Sequence, residues 1–295
     1  MNPIGTKEAA GPQPVTSANP IMRLVRRRPL LTFFVLSCCL AWWPAPLYTH
    51  GWLPAAQAGF GPFLAALIVL GATEGRPGVR RLLGAMVRWR VPIRAYVAAV
   101  GAPLLVSGAA IGLNLAGGAA RPETAALAAW VQIPTTALVV LLIPGIGGAW
   151  EEPGFRGYSL RPLEHRFGPL GGPLLLGALW AGWHLPLFLT GGILWPDVLV
   201  IVAASVVLAS VFHLGRESVL IAMLLHATNN AVGGGYASGL FHGADQTRLG
   251  LFTAAGWIVL AVVAELLRRL RPPRKGTERS GRVLGAGGDG GLNPA

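Results

Sequence analysis

The sequence predicts an all-α fold, a polytopic membrane bundle of about eight transmembrane helices with both termini cytoplasmic. Three observations predict it. The chain is 53% hydrophobic and only 12% charged, with a mean hydropathy of +0.55; a soluble domain carries roughly twice that share of charge. Eight stretches approach the roughly 20 apolar residues that a helix needs to cross a bilayer, and their continuous apolar runs lack the alternation of barrel strands. Finally, with the N-terminus in the cytoplasm, 22 of the 24 Lys and Arg fall on the cytoplasmic side, leaving only Arg121 and Arg248 outside, as the positive-inside rule requires.

Residues 1–28 read as a disordered basic arm, Pro-, Ala- and Thr-rich at first and ending in Arg23, Arg26, Arg27 and Arg28. No small-residue cleavage site precedes a soluble domain, which argues against a cleaved signal peptide. A single membrane domain follows over 29–271, with no fixed-period repeat. Its first spans are 30–48 and 53–73; the adjacent Cys38 and Cys39 are packing residues, too local to staple a fold. Residues 78–94 mix Arg with Leu, Val, Met and Trp and read either as a helix in the cytoplasmic interface or as a basic loop. The third span is 95–117. Spans 134–158, 172–190, 194–213 and 217–236 form a core over about 134–236, a last span covers 250–268, and 272–295 read as a disordered tail. The formal net charge of +12 is explained by topology and contact with anionic membrane lipid, not by nucleic acid.

Span 134–158 carries the most unusual residues: Glu151, Glu152 and Arg156, in EEPGFRGY. Charged side chains at membrane depth are expensive and usually functional. If residues 149–158 are helical, Glu152 and Arg156 stand at i, i+4 with the acid first, the favourable order for a structural ion pair. Glu151 then points about 100° away, free to face a cavity and act as a general base. Pro153 cannot donate to the Ala149 carbonyl and predicts a kink, with a wet cavity to serve the freed oxygen.

Two histidines reach similar depth. From the span boundaries, Glu151 lies roughly 10 Å, His184 roughly 15–20 Å and His226 roughly 14 Å from the cytoplasmic ends, at 1.5 Å per residue. His226 and Asn230 share a helix face, and both side chains can donate to an oxygen that gains negative charge. Small residues, among them Gly145, Gly147, Gly148, Gly177 and Gly182, let the helices approach closely. His50, His165, His213 and His242 lie at span ends or in loops. Glu151, His184 and His226 would also make a three-ligand zinc site, although no HExxH is present and no cysteine ligand is near. The metal-free and zinc readings both stand at this point.

Glu151-Glu152-Pro-Gly-Phe-Arg156, Trp180-Ala-Gly-Trp-His184 and His226-Ala-Thr-Asn-Asn230 occur in order on successive apolar spans. They resemble the EExxxR, aromatic-xxx-His and HxxxN motifs of the CPBP intramembrane proteases, also called the Abi or CAAX protease family, which includes the eukaryotic CAAX prenyl protease 2. The resemblance covers residues 134–236, and its one departure is Trp180, where Phe is common. It implies an intramembrane endopeptidase of the glutamic type without a cofactor. Glu151 with His184 would activate water, and His226 with Asn230 would stabilise the oxyanion. Its partners would be membrane lipids and a protein or peptide substrate reached from the membrane or cytoplasmic side. Ala-, Gly- and Arg-rich usage points to a bacterial cell membrane. Two other readings compete. A proton-coupled transporter also uses intramembrane Glu and His, but would show inverted repeats. A non-catalytic scaffold or bacteriocin-immunity protein would keep the same residues for binding alone.

Overall fold

The structure, a computed structural model, describes residues 20–270. The disorder expected over 1–19 and 272–295 lies outside the described residues. Within them the chain is helical, with no strand. Its helices are α1 (Pro20–Arg27), α2 (Pro29–Trp42), α3 (Pro44–Thr49), α4 (Gly61–Thr73), α5 (Arg76–Met86), α6 (Ile93–Ala116) and α7 (Thr124–Ala128). After them come α8 (Ile133–Leu142), α9 (Glu152–Gly154), α10 (Leu160–Trp183), α11 (Leu185–Leu189), α12 (Pro196–Leu214), α13 (Val219–Asn229) and α14 (Gly243–Leu270). Proline occupies the first turn of α2, α3, α4, α5, α8, α9, α11 and α12, where its missing N–H has no helical partner to lose.

Five helical stretches are long and apolar enough to cross a membrane: Pro29–Thr49, Ile93–Ala116, Thr124–Leu142, Pro196–Leu214 and Gly243–Leu270, with the shorter apolar Gly61–Thr73 beside them. Their outward faces are apolar, with Leu105, Leu142, Val259 and Leu267 all more than half exposed, as a lipid-facing surface requires. The pairs α2–α4, α10–α12, α12–α14 and α6–α13 pack together. Helix α13 sits at the centre, with Val219, Ile221, Ala222, Leu225 and Ala227 essentially inaccessible.

Three expectations need correction. The basic arm is not disordered throughout: residues 20–27 form α1, with Val25 buried in the core and the Arg26 side chain donating to the Ala72 carbonyl at 3.2 Å. Span 53–73 is helical only from Gly61. Span 134–158 is not one helix. Helix α8 ends at Leu142, and an extended Ile143 leads into a loop with positive φ at Gly145 (88°) and Gly147 (66°). That backbone region is open to glycine and closed to most side chains. Helix then restarts in a new register, as a 3₁₀ turn over Ala149–Glu151, the short α9, a π turn over Phe155–Ser159, and α10.

That restart explains why Pro153 makes no kink. It stands in the first turn of α9, and the Ala149 carbonyl accepts the Glu152 N–H. The irregularity falls one turn later, in the π turn, a feature common where helices carry function. Within α10 the chain reverses at Gly168 (φ 80°, ψ 170°), so residues 149–167 and 169–183 form a hairpin. Glu151 and His184 each stand about 16–17 residues from that reversal, about 25 Å along their arms at the helical rise. The hairpin brings them to one level.

Candidate active site

The site is built on helix ends and broken helices. His184 lies just past the last turn of α10, and Pro186 starts α11 immediately afterwards. Carbonyls in a helix's last turn have no helical partner. Here the Trp183 carbonyl is taken from outside the hairpin, by Trp42 Nε1 (2.8 Å) and Gln57 Nε2 (2.7 Å). The Trp183 indole donates in turn to the Ser37 carbonyl at 3.1 Å. Helix α2 and the 51–60 loop therefore fix the end that carries His184.

Glu151 is 3% exposed, and its Oε2 accepts a 2.6 Å hydrogen bond from Trp180 Nε1. The Trp180 carbonyl is 2.9 Å from His184 Nδ1. A carbonyl can only accept, so Nδ1 carries the hydrogen and Nε2 is left with a lone pair. Residue 180 thus holds the acid with its side chain and sets the tautomer of His184 with its backbone. Its ring also packs edge-on against His226, with centroids 5.4 Å apart.

Glu152 and Arg156 are both fully buried. Arg156 NH1 lies 3.1 Å from each oxygen of Glu152, with hydrogen-bond geometry only to Oε1. The Arg156 Nε and NH2 atoms have no hydrogen-bond partner, while the guanidinium carbon sits 4.5 Å from the Trp180 ring centroid. The π face supplies the attraction that a second acceptor would otherwise give. Glu152 has a second contact, 2.6 Å to His226 Nδ1. The carboxylate accepts and Nδ1–H donates, so Glu152 orients His226 in the way a carboxylate orients a catalytic imidazole.

Asn230 opens a π turn over Asn230–Tyr236. With its amide oriented to suit its neighbours, its oxygen accepts the Gly148 N–H at 2.9 Å and its nitrogen donates to the His226 carbonyl at 3.3 Å. The second hydrogen on that nitrogen is not used by this contact. Gly148 has an ordinary φ of −98°, so its need for glycine is steric. A Cβ there would collide with His226 Nε2 and lie 2.8 Å from Glu151 Oε1. The two functional atoms flank one bare α-carbon.

Glu151, His184, His226 and Asn230 line one cavity of about 470 Å³, together with Gln57, Gly59, Gly145, Gly147, Trp183 and Leu187. Glu152 and Arg156 lie buried behind it. His50, His165, His213 and His242 do not line it; His213 pairs with Glu164 at 2.8 Å. Among the described residues no three His, Cys, Asp or Glu side chains converge as a metal-ligand set, Glu151, His184 and His226 included.

Sequence reasoning missed two residues and two roles. The indole donor of Trp180 was legible only as an aromatic. Gln57 and Gly59 come from a loop far away in sequence; a Cβ on Gly59 would lie 2.7 Å from the Gly147 carbonyl, so that glycine marks a close backbone approach. The second role of Glu152 had no local signal at all.

Residues 130–232 match the family model of Rce1-like type II CAAX prenyl endopeptidases. Over these residues the chain is similar to the CAAX protease family. The matched segment runs from just before α8 into the Asn230 π turn and contains all six candidate residues, while Gln57 and the rest of its loop lie outside it. No curated protein matches the chain. The family is one of membrane peptidases, and with the five spanning stretches it makes this an integral membrane protein.

Proposed function

We propose that the protein is an intramembrane endopeptidase of the glutamic type, hydrolysing a peptide bond with water held between Glu151 and His184. The observation that carries this reading is the single cavity lined by Glu151, His184, His226 and Asn230. Glu151 Oε2 is committed to Trp180, which leaves Oε1 for a water, and His184 Nε2 is the second acceptor. Glu151 takes the proton as the water oxygen bonds to the peptide carbonyl carbon. The oxyanion that forms is met by the free Asn230 amide hydrogen and by His226 Nε2 when the ring, backed by the Glu152 carboxylate, carries both hydrogens. Collapse breaks the C–N bond, and the proton on Glu151 passes to the leaving amine.

The chain crosses the membrane eight times in this reading. The three crossings beyond the five long stretches are α4, the hairpin arm 169–189, and α13 with its π turn. Both ends then lie in the cytoplasm of a bacterial cell, with lipid around the bundle. The reaction needs no cofactor.

The test is cleavage of a peptide library by purified protein in lipid, with and without a chelator. The expected result is chelator-resistant cleavage, and a loss of about 10²–10⁴-fold for Glu151→Gln, the range one positioned base contributes. The variant should insert and unfold like its parent. Parental activity in the variant overturns the reading, and chelator-sensitive activity overturns its metal-free form.

A further inference from the structure

Helices α10 and α14 both pack on α12, and a groove runs along α12 between them. Its head is polar. Arg161, Glu164, His213, Glu265 and Arg268 line a pocket of about 380 Å³. The pocket lies where α12 and α14 finish, at Leu214 and Leu270, and where the hairpin turns at Gly168. Both helices are long and apolar enough to span, so their ends stand at the level of the lipid headgroups.

The tail of the groove is apolar. A second cavity, of about 490 Å³, shares Val206 and Glu265 with the polar pocket. Its three walls retreat from that pocket in step: from Val206 to Leu199 on α12, from Glu265 to Ile258 on α14, and from Leu170 to Leu174 on α10. On α12 and α14 this is a run of about 10 Å at the helical rise. The groove and the catalytic cavity have no lining residue in common.

The head carries both signs of charge. Glu265 accepts from Arg268 through Nε at 2.6 Å and NH2 at 2.7 Å, and from Arg269 Nε at 2.6 Å. Glu164 faces His213 Nε2 at 2.8 and 3.0 Å, and Arg161 pairs with Glu217. These contacts leave capacity on both sides, since a guanidinium has five N–H donors and a carboxylate about four lone-pair sites. The side chains of Arg161 and Arg268 are 62% and 43% exposed, within reach of a ligand at the mouth.

Polar pockets with arginines between spanning helices take lipid headgroups. We propose that this groove binds one phospholipid with an aminoethyl-phosphate headgroup, phosphatidylethanolamine. Its phosphate meets Arg161 and Arg268, its ammonium donates to Glu164, and one acyl chain fills the apolar tail. An anionic headgroup without an ammonium would satisfy the arginines and place its charge beside Glu164 uncompensated. A choline headgroup has no N–H to give that carboxylate. The site stands apart from the peptide cavity, so the proposal does not rest on the peptidase reading.

The experiment mixes the full chain, purified in mild detergent, with equal amounts of dioleoyl phosphatidylethanolamine, phosphatidylcholine and phosphatidylglycerol, and counts bound lipid by native mass spectrometry. The expected result is a one-lipid adduct about tenfold more abundant for phosphatidylethanolamine than for either competitor, the scale of one hydrogen bond to a charged group. Glu164→Gln should remove the preference, and Arg268→Gln should lower the adduct about tenfold. Ala261→Phe, which fills the apolar tail, should abolish it. Val259→Phe, on the same helix but outside the groove lining and 60% exposed, should leave it intact. Unfolding midpoints identify the folded variants, and the three-lipid competition on the parent needs no variant at all. Equal adducts there, or a preference for phosphatidylglycerol, overturn the proposal, as does an adduct retained in folded Ala261→Phe. A dimer mass in the parent that Ala261→Phe removes would assign the groove to a second copy of the chain and overturn it as well.

Discussion

The outer spans and the site-bearing segments obey different rules. Helices α6, α12 and α14 are long, and their lipid-facing sides are apolar. The segments 143–168, 183–196 and 226–240 are interrupted by loops, 3₁₀ and π turns and reversals. Every candidate active-site side chain belongs to the second group. A regular helix satisfies all its backbone groups internally and leaves little room for a polar cavity. A broken one frees N–H and C=O groups, which a membrane interior tolerates only where protein or water meets them. The Trp183 carbonyl and the Gly148 N–H are both met by side chains that line the cavity, and the Trp180 carbonyl takes the His184 ring in addition to the His184 backbone N–H. Interruption and chemistry therefore come together for a physical reason.

The sharpest way to break this contrast is to fill the interruption. Gly148→Ala adds one methyl group where His226 Nε2 and Glu151 Oε1 converge. Both side chains must move, and a displacement of about 1 Å at a reacting centre costs about 10²-fold in rate. The expected outcome is a loss of at least that size in kcat, in protein that still inserts. The same change at Gly182 on the regular part of α10, where an added Cβ meets nothing within 4 Å, should leave activity within a factor of two of the parent.

The same division governs what the sequence made legible. Spacing alone paired Glu152 with Arg156 and separated Glu151 from both, because i, i+4 geometry survives a π turn that starts one residue short of the arginine. The histidines were visible because imidazoles are rare inside apolar runs. The break at 143–148 was hidden: LLIPGIGGAW is as apolar as a spanning helix, and hydropathy does not see the positive φ of Gly145 and Gly147. The expected kink at Pro153 followed from assuming a helix that had not yet begun. The Gln57 loop was unreadable because its partner, the Trp183 carbonyl, lies 126 residues away. Local pattern reports what a helix does to its own side chains, and nothing about which distant loop closes over its end.

Trp180→Phe sharpens the comparison at intermediate size. Phenylalanine keeps an aromatic ring against His226 and beneath Arg156, and leaves the backbone carbonyl on His184. It removes the indole donor to Glu151. A hydrogen bond to a charged group contributes about 1.5–3 kcal/mol, so kcat/KM should fall about 10- to 100-fold. An unchanged kcat/KM would reduce Trp180 to packing.

The smallest effect belongs to the regular side. Ser205 in α12 is fully buried and donates to the Pro173 carbonyl at 2.9 Å, joining α12 to the second arm of the hairpin. That carbonyl lies within helix α10, so it is not orphaned when the hydroxyl is lost, and alanine fits the space that serine leaves. Ser205→Ala should lower stability by about 0.5–1.5 kcal/mol, the net value of one such bond, read as a modest drop in the unfolding midpoint. Peptide cleavage at a permissive temperature should not change. If cleavage falls tenfold while the midpoint barely moves, α12 shapes the cavity through the hairpin, and the division between scaffold and site drawn from helix regularity is wrong.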